Sequence, residues 1–224
     1  MFQFLLIPNN PITKSILCSL CFVLGNAGLS EAESSRSCSP VDFDAIAESL
    51  ELESGDWLAD IGAGRARYLG LFAEYVGKQG HIFAVDINPE PFDDLHEQMA
   101  GWDYFNITPV YSVEKDPLLP SASFEAIMMR NAYHEFSNPD EMLRHFKASL
   151  KEGGKLAIID FMDEEIADSD RETQEENHRL DMAYAKDDLK EAGFEVTIAE
   201  PEFARFPNND TVTNWMLIAK PADR

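Results

Sequence analysis

Apolar residues in this chain fall in short runs separated by glycine, proline and charged turns. The runs Trp57-Leu58-Ala59, His81–Val85, Ile107–Tyr111, Phe124–Arg130, Lys155–Ile159, Phe194–Ala199 and Trp215–Lys220 have the length and boundaries of strands. Phe124–Arg130 is apolar nearly throughout, as expected of a strand buried on both faces. Between these runs the period changes to that of a helix. Val41–Leu50 places apolar residues at 43, 46, 47 and 50, and Pro139–Leu150 at 142, 143, 146 and 150. Further helices are predicted at about Leu69–Val76, from Asn88-Pro89 to about Met99, and ending at Leu189–Gly193. Strands alternating with helices predict a doubly wound α/β sheet. The last two strands have no helical pattern between them and suit an antiparallel hairpin at the sheet edge.

One turn in this pattern carries chemistry. Asp60-Ile61-Gly62-Ala63-Gly64 follows the first strand, and the second strand ends on Asp86, 22 residues beyond Gly64. Strand, glycine turn, helix, strand and acid is how an open parallel sheet builds a pocket for a ribose-bearing cofactor. A dinucleotide fingerprint needs a third glycine five residues after the first, where this chain has Arg67. The other spacing, acid-x-Gly-x-Gly-x-Gly, falls on Asp60, Gly62, Gly64 and Ala66, with one methyl added at the last position. Glycines at 62 and 64 let the backbone lie against a ligand, and the N-terminus of the following helix offers amides to an anionic group. Asp86 suits the two hydroxyls of a ribose.

This second spacing resembles that of class I S-adenosylmethionine (SAM) dependent methyltransferases, and the resemblance extends over about Val41–Lys220. The stretches Asp116–Pro120, Tyr133-His134-Glu135-Phe136 and Leu150–Leu156 look like small-molecule enzymes of the ubiquinone/menaquinone C-methyltransferase type. They look most like a bacterial branch whose members often begin with a signal peptide. The resemblance implies a Rossmann-like, seven-stranded sheet, mostly parallel with an antiparallel C-terminal strand, and SAM as cofactor. It places the cofactor on Asp60, Gly62, Ala63, Gly64, Asp86, Ile87, Glu114 and Arg130. Glu114 or Asp116 stands in for the acid that relatives carry just after the third strand to contact adenine, where this chain has Ser112-Val113.

Methyl transfer from a sulfonium is an in-line displacement, which mainly demands alignment and exclusion of water. Residues just past Arg130 enter the crevice at the carboxyl ends of the strands. Asn131, Tyr133, His134 and Glu135 are therefore the candidate catalytic residues, with His134 a general base and Tyr133 or Asn131 orienting an acceptor. The competing expectation is that His134 caps or packs under the next helix. Asn131-Ala132-Tyr133-His134 replaces the Asn/Asp-Pro-Pro-aromatic sequence of amide and exocyclic-amine methyltransferases, which argues against transfer to DNA or glutamine nitrogen.

Charge narrows the partners. The 224 residues carry 18 Lys and Arg against 41 Asp and Glu, a net charge of −23. Such a surface repels phosphate backbones and anionic lipids, so the expected partner is a small-molecule methyl acceptor and not a nucleic acid. Met1–Ala27 has one charge, Lys14, then the apolar segment Ile16–Leu24 and the small-x-small sequence Gly25-Asn26-Ala27, the order of a secretory signal peptide. Nine apolar residues are too few for a spanning helix, which takes about 20. Residues 1–27 are thus expected to be an export leader, leaving no stable membrane anchor once cleaved, and 28–40 a linker before the methyltransferase domain at 41–220. An uncleaved anchor, or a cytoplasmic protein with a misread leader, are the alternatives. Cys18 and Cys21 fall in the leader, and Cys38 alone forms no internal disulfide.

Two further segments stand out. Asp160–Glu176 holds nine acids against Arg171 and reads as a solvated, mobile insert, with a lid over the crevice as the sharper account. His178-Arg179 resembles a pair found in the signal-bearing branch, and Arg179 would hold an acidic acceptor. No spacing of His, Cys and acids argues for a metal site. Two rival functions are a non-catalytic SAM or nucleoside-binding protein, which Ala66 and Val113 favour, and a nicotinamide oxidoreductase, which Arg67 and the terminal hairpin count against.

Overall fold

The computed structural model describes residues 41–90, 92, 95, 99, 106–206 and 209–222. The expected leader and linker lie outside the described residues, as do all three cysteines. In chain order the elements are α1 (Phe43–Ser49), β1 (Trp57–Ile61), α2 (Leu69–Val76), β2 (His81–Asp86), β3 (Ile107–Tyr111), β4 (Phe124–Arg130), a 3-10 turn (Tyr133–Glu135) and α3 (Pro139–Ser149). They continue with β5 (Leu150–Asp163), a second 3-10 turn (Glu164–Ile166), α4 (Arg171–Glu176), α5 (Met182–Glu191), β6 (Phe194–Phe206) and β7 (Asn209–Pro221). Phe92, Leu95 and Met99 are helical as well, where a helix was expected after Asn88-Pro89.

The seven strands form one sheet in the order β3-β2-β1-β4-β5-β7-β6. β1 pairs in parallel with β2 on one side, Ile61 opposite Val85, and with β4 on the other, Asp60 opposite Met128. The chain thus leaves β1 in both directions, and the crevice this creates opens at the carboxyl ends of β1 and β4. β7 runs antiparallel to β5 and β6, lying between them, so the expected terminal hairpin is present and β6 forms the edge. Its strands are longer than the apolar pattern showed because their solvent-facing ends are polar.

Alternation along the strands splits the interior into two cores. On one face Leu58, Ala126 and Met128 pack with Ile46, Leu69 and Phe72 from α1 and α2. On the other, Ala59, Ile61, Ile127 and Met129 pack with Leu143 and Phe146 of α3 and Leu189 of α5. Each buried Leu or Phe contributes roughly 1.5–3 kcal/mol. Asp42 starts α1 by accepting the Ala45 N–H at 3.1 Å, a side-chain cap.

The acidic stretch departs from expectation. Asp160–Asp163 extend β5 beside β7, and the following residues form the second 3-10 turn and α4. α4 docks through Gln174, 1% exposed, whose side chain donates to Ala167 and Ser169 carbonyls and accepts from Asp181 N–H. Arg171 ties Glu175 to Asp188 of α5 at 2.6 and 2.9 Å. The expectation of a solvated insert missed that a single glutamine and arginine supply the anchoring hydrogen bonds that the charge count concealed. Among the described residues, no helix is long and apolar enough to cross a membrane.

Candidate active site

The glycine turn sits where the strand order reverses. Gly62 and Ala63 both donate their N–H to the Val85 carbonyl, at 2.8 and 3.0 Å, and Gly64 donates to Asp86 Oδ2 at 2.8 Å. Gly62 has φ +71° and Gly64 φ +51°, left-handed values that favour glycine. A Cβ on Gly62 would lie 2.5 Å from that of Ala132, so the turn and the segment after β4 touch here. A Cβ on Gly64 would meet nothing within 4 Å, which leaves its face open to a ligand. The turn's own amides are therefore committed inside the protein, and α2 starts only at Leu69. The glycines therefore contribute close approach, and any amides for an anionic group would come from the N-terminus of α2, as expected.

Asp60 is 0% exposed, and its carboxylate faces the Tyr68 hydroxyl and the Arg130 guanidinium without a well-formed hydrogen bond to either. Burial pushes its pKa up to about 8, and the nearby Tyr68 hydroxyl and Arg130 guanidinium offset only part of that. Alternation places Asp60 and Arg130 on the same face of adjacent strands. The Arg130 guanidinium lies over the rings of Phe43 and Tyr68, 5.8 and 5.5 Å from their centroids, and its Nε is buried with no partner. A buried carboxylate and a buried guanidinium nitrogen that both lack a well-formed hydrogen bond are costly unless a ligand with both charges completes them.

The end of β2 is equally ordered. Asp86 also accepts the Asn88 N–H at 2.8 Å through Oδ1, so both oxygens are oriented while keeping outward lone pairs. Ile87 is 65% exposed and Val113 54% exposed, apolar residues just past the ends of neighbouring strands β2 and β3. They suit the faces of a flat heterocycle. Glu114 is exposed, in the tight turn closed by the mutual Val113–Asp116 backbone bonds, and Asp116 accepts from Leu118 N–H.

These observations meet their comparison in sequence. A family model described as methyltransferase domain matches residues 59–156. Residues 59–156 are therefore similar to a methyltransferase domain. Over 113 residues it is 26% identical to a protein-L-isoaspartate O-methyltransferase from Ignicoccus hospitalis, covering 50% of this chain and 51% of that relative. It is 23% identical over 111 residues to a demethylmenaquinone methyltransferase from Listeria monocytogenes, covering 50% and 47%. The chain thus spans about half the length of the curated relatives it matches. In structure it superposes on a SAM-dependent methyltransferase from Aquifex aeolicus with TM-score 0.68 and 21% identity, covering 95% of this chain and 98% of that one. The fold is that of SAM-dependent methyltransferases.

Past β4, the structure departs from one expectation and refines another. Tyr133 is 0% exposed, packs edge-on against Phe136, and donates its hydroxyl to Asp188 at 2.8 Å. Burial and the Asp188 charge raise its pKa. It belongs to the core under α5, so the role of orienting an acceptor is withdrawn from it. Asn131 holds a left-handed φ of +52°, donates its N–H to Ile159, and lies 3.5 Å from Asn214.

His134 is 6% exposed and its Nδ1 lies 2.8 Å from Asp160 Oδ1, while its backbone N–H donates to Oδ2 of the same carboxylate. Burial lowers its pKa, but the hydrogen bond and charge of Asp160, with Glu135 added, outweigh burial and raise it. Nε2 points toward Glu135 Oε1 at 3.2 Å, and the His178 ring stands 5.9 Å away. Asp160 went unnoticed in the sequence because it opens the acidic stretch. Its position at the end of an apolar strand run, like that of Asp86, was the available signal.

Proposed function

We propose that this chain transfers the methyl group of SAM to a small-molecule acceptor. The buried Asp60 carboxylate beneath the glycine turn, whose oxygens lack a well-formed hydrogen bond, carries this reading, because an ammonium would supply one. Asp60 would receive the ammonium and the unpaired Arg130 nitrogen the carboxylate of the cofactor's amino-acid end. Gly64 lets the chain pass beside the open face of the turn, Asp86 accepts the two ribose hydroxyls, and Ile87 with Val113 covers the base. Bound in this way, SAM supplies a sulfonium methyl open to in-line attack from the crevice.

The acceptor side lies between the glycine turn and the segment 131–136. Asn131 is held there in a left-handed conformation, and His134 presents an imidazole fixed by Asp160. The net charge of −23 and the absence of the proline-containing sequence after β4 both favour a small organic acceptor over nucleic acid. The test is transfer of labelled methyl from SAM to a panel of phenols, quinols, hydroxy acids and amines, with an oligonucleotide and an unfolded protein alongside. Label on a small molecule bears out the reading; label on none, from a folded protein, overturns it.

We also infer export, from the order of charge, apolar segment and small residues in 1–27. N-terminal sequencing of the mature protein tests this: a start at 28 supports it and a start at Met1 opposes it.

A further inference from the structure

Three residues distant in sequence or function converge beside the acceptor crevice. His134 Nε2, a Glu135 carboxylate oxygen and a His178 ring nitrogen all lie within 4.8 Å of one another. Glu135 Oε1 is 3.2 Å from His134 Nε2 and 2.6 Å from His178 Nδ1. Metal bonds of about 2.0–2.2 Å set neighbouring ligand atoms about 3–3.5 Å apart, so a slight opening of one contact admits an ion. We propose that His134, Glu135 and His178 bind a divalent first-row transition metal ion through two imidazoles and one carboxylate.

Three independent features support this. First, Asp160 takes Nδ1 of His134 at 2.8 Å, the carboxylate–imidazole arrangement that fixes the tautomer and aims the other nitrogen at a metal. With Nδ1–H committed to Asp160, Nε2 faces a carboxylate oxygen, an arrangement that a proton or a metal cation on Nε2 satisfies.

Second, His178 has φ +55°, one residue past the Asn177 that ends α4. Glycine normally fills that place, and a histidine there is strained. Helix termination does not call for the imidazole; a ligand does. Third, His178 and Glu135 are 68% and 56% exposed while His134 is 4% exposed, so the site is anchored on one side and open on the other. Three protein ligands with free positions suit an ion that also takes water or substrate.

The role of the ion, holding an oxygen of the acceptor, rests on the methyl-transfer reading; its binding does not. The spacing His-Glu, then 43 residues to the second histidine, matches no short metal motif, which is why the sequence showed none. With an ion in place His134 is a ligand and not a base.

The test is titration of the full chain with Co2+ and no SAM, read by visible absorption, since a net charge of −23 attracts cations without nitrogen ligation. We expect one Co2+ per chain with ligand-field bands, displaced by Zn2+. His178→Gly and Glu135→Gln each weaken it at least tenfold. His178→Gly relieves the backbone strain, so its thermal midpoint is unchanged or higher, and S-adenosylhomocysteine affinity is unchanged in both variants. Absence of bands at millimolar Co2+, or bands and affinity unaltered in the two variants, overturns the proposal. Loss of S-adenosylhomocysteine binding in the wild type would instead count against the methyl-transfer reading.

Discussion

Asp86 Oδ2 accepts the Gly64 N–H at 2.8 Å, joining the end of β2 to the glycine turn across 22 residues. With Oδ1 on Asn88, one carboxylate shapes the turn and offers its remaining lone pairs to a ribose. Asp86→Ala removes both functions. Hydrogen bonds to a charged group are worth about 1.5–3 kcal/mol, so affinity for S-adenosylhomocysteine falls by about tenfold to a hundredfold, with a lowered thermal midpoint. Asp86→Asn keeps an acceptor oxygen and falls between. Calorimetry and thermal unfolding of the two variants check this.

Gly62 and Gly64 share a backbone conformation and differ in surroundings. Gly62→Ala drives a methyl to 2.5 Å from Ala132 and costs about 1–3 kcal/mol of stability on top of the strain of its φ. Gly64→Ala meets no protein atom, so its stability cost is about 1 kcal/mol from φ alone, yet the methyl would stand in the space proposed for the cofactor. Denaturant unfolding should show the larger loss for Gly62→Ala. Gly64→Ala should be the variant that stays folded and loses SAM affinity.

The Asp60 carboxyl, raised to about 8, is largely protonated in the free protein at pH 7. An incoming ammonium favours the ionised form, so cofactor binding at pH 7 should release close to one proton. Binding enthalpies in buffers of differing ionisation heat measure it; no buffer dependence contradicts it. The stability consequence has a fixed sign. The folded state holds a proton that the unfolded state gives up above the ordinary carboxyl range, so the stabilisation is complete below that range and is lost as pH rises to about 8. Asp60→Asn should flatten that decline in a pH series of unfolding curves.

Much of this was legible in the sequence. The helix periods at 43–50 and 139–150, the glycine spacing and the acid ending β2 located the sheet and the turn where Asp86 meets Gly64, because local pattern determines them. Three features were not legible. Tyr133 reads as polar but is buried by α5, a partner 55 residues away. Asp160 and Gln174 lie in a run whose charge masks their burial. His178 meets Glu135 only because α4 docks. Each depends on tertiary packing that a one-dimensional pattern does not encode.

Tyr133 supplies a discriminating variant. Tyr133→Phe keeps the ring in its pocket and removes the hydroxyl donated to Asp188, while Arg171 still holds that carboxylate. The expected loss is about 0.5–1.5 kcal/mol of stability, with turnover per folded molecule unchanged. A tenfold fall in kcat at full folding would return Tyr133 to the reaction.

The central claim is that the buried Asp60 carboxylate under the glycine turn holds the amino-acid end of SAM. Calorimetric titration of wild type and Asp60→Asn with S-adenosylhomocysteine tests it most directly. The account predicts one ligand per chain for the wild type and at least tenfold weaker binding for a folded Asp60→Asn. Equal affinity in the two proteins, or none in a folded wild type, would contradict it.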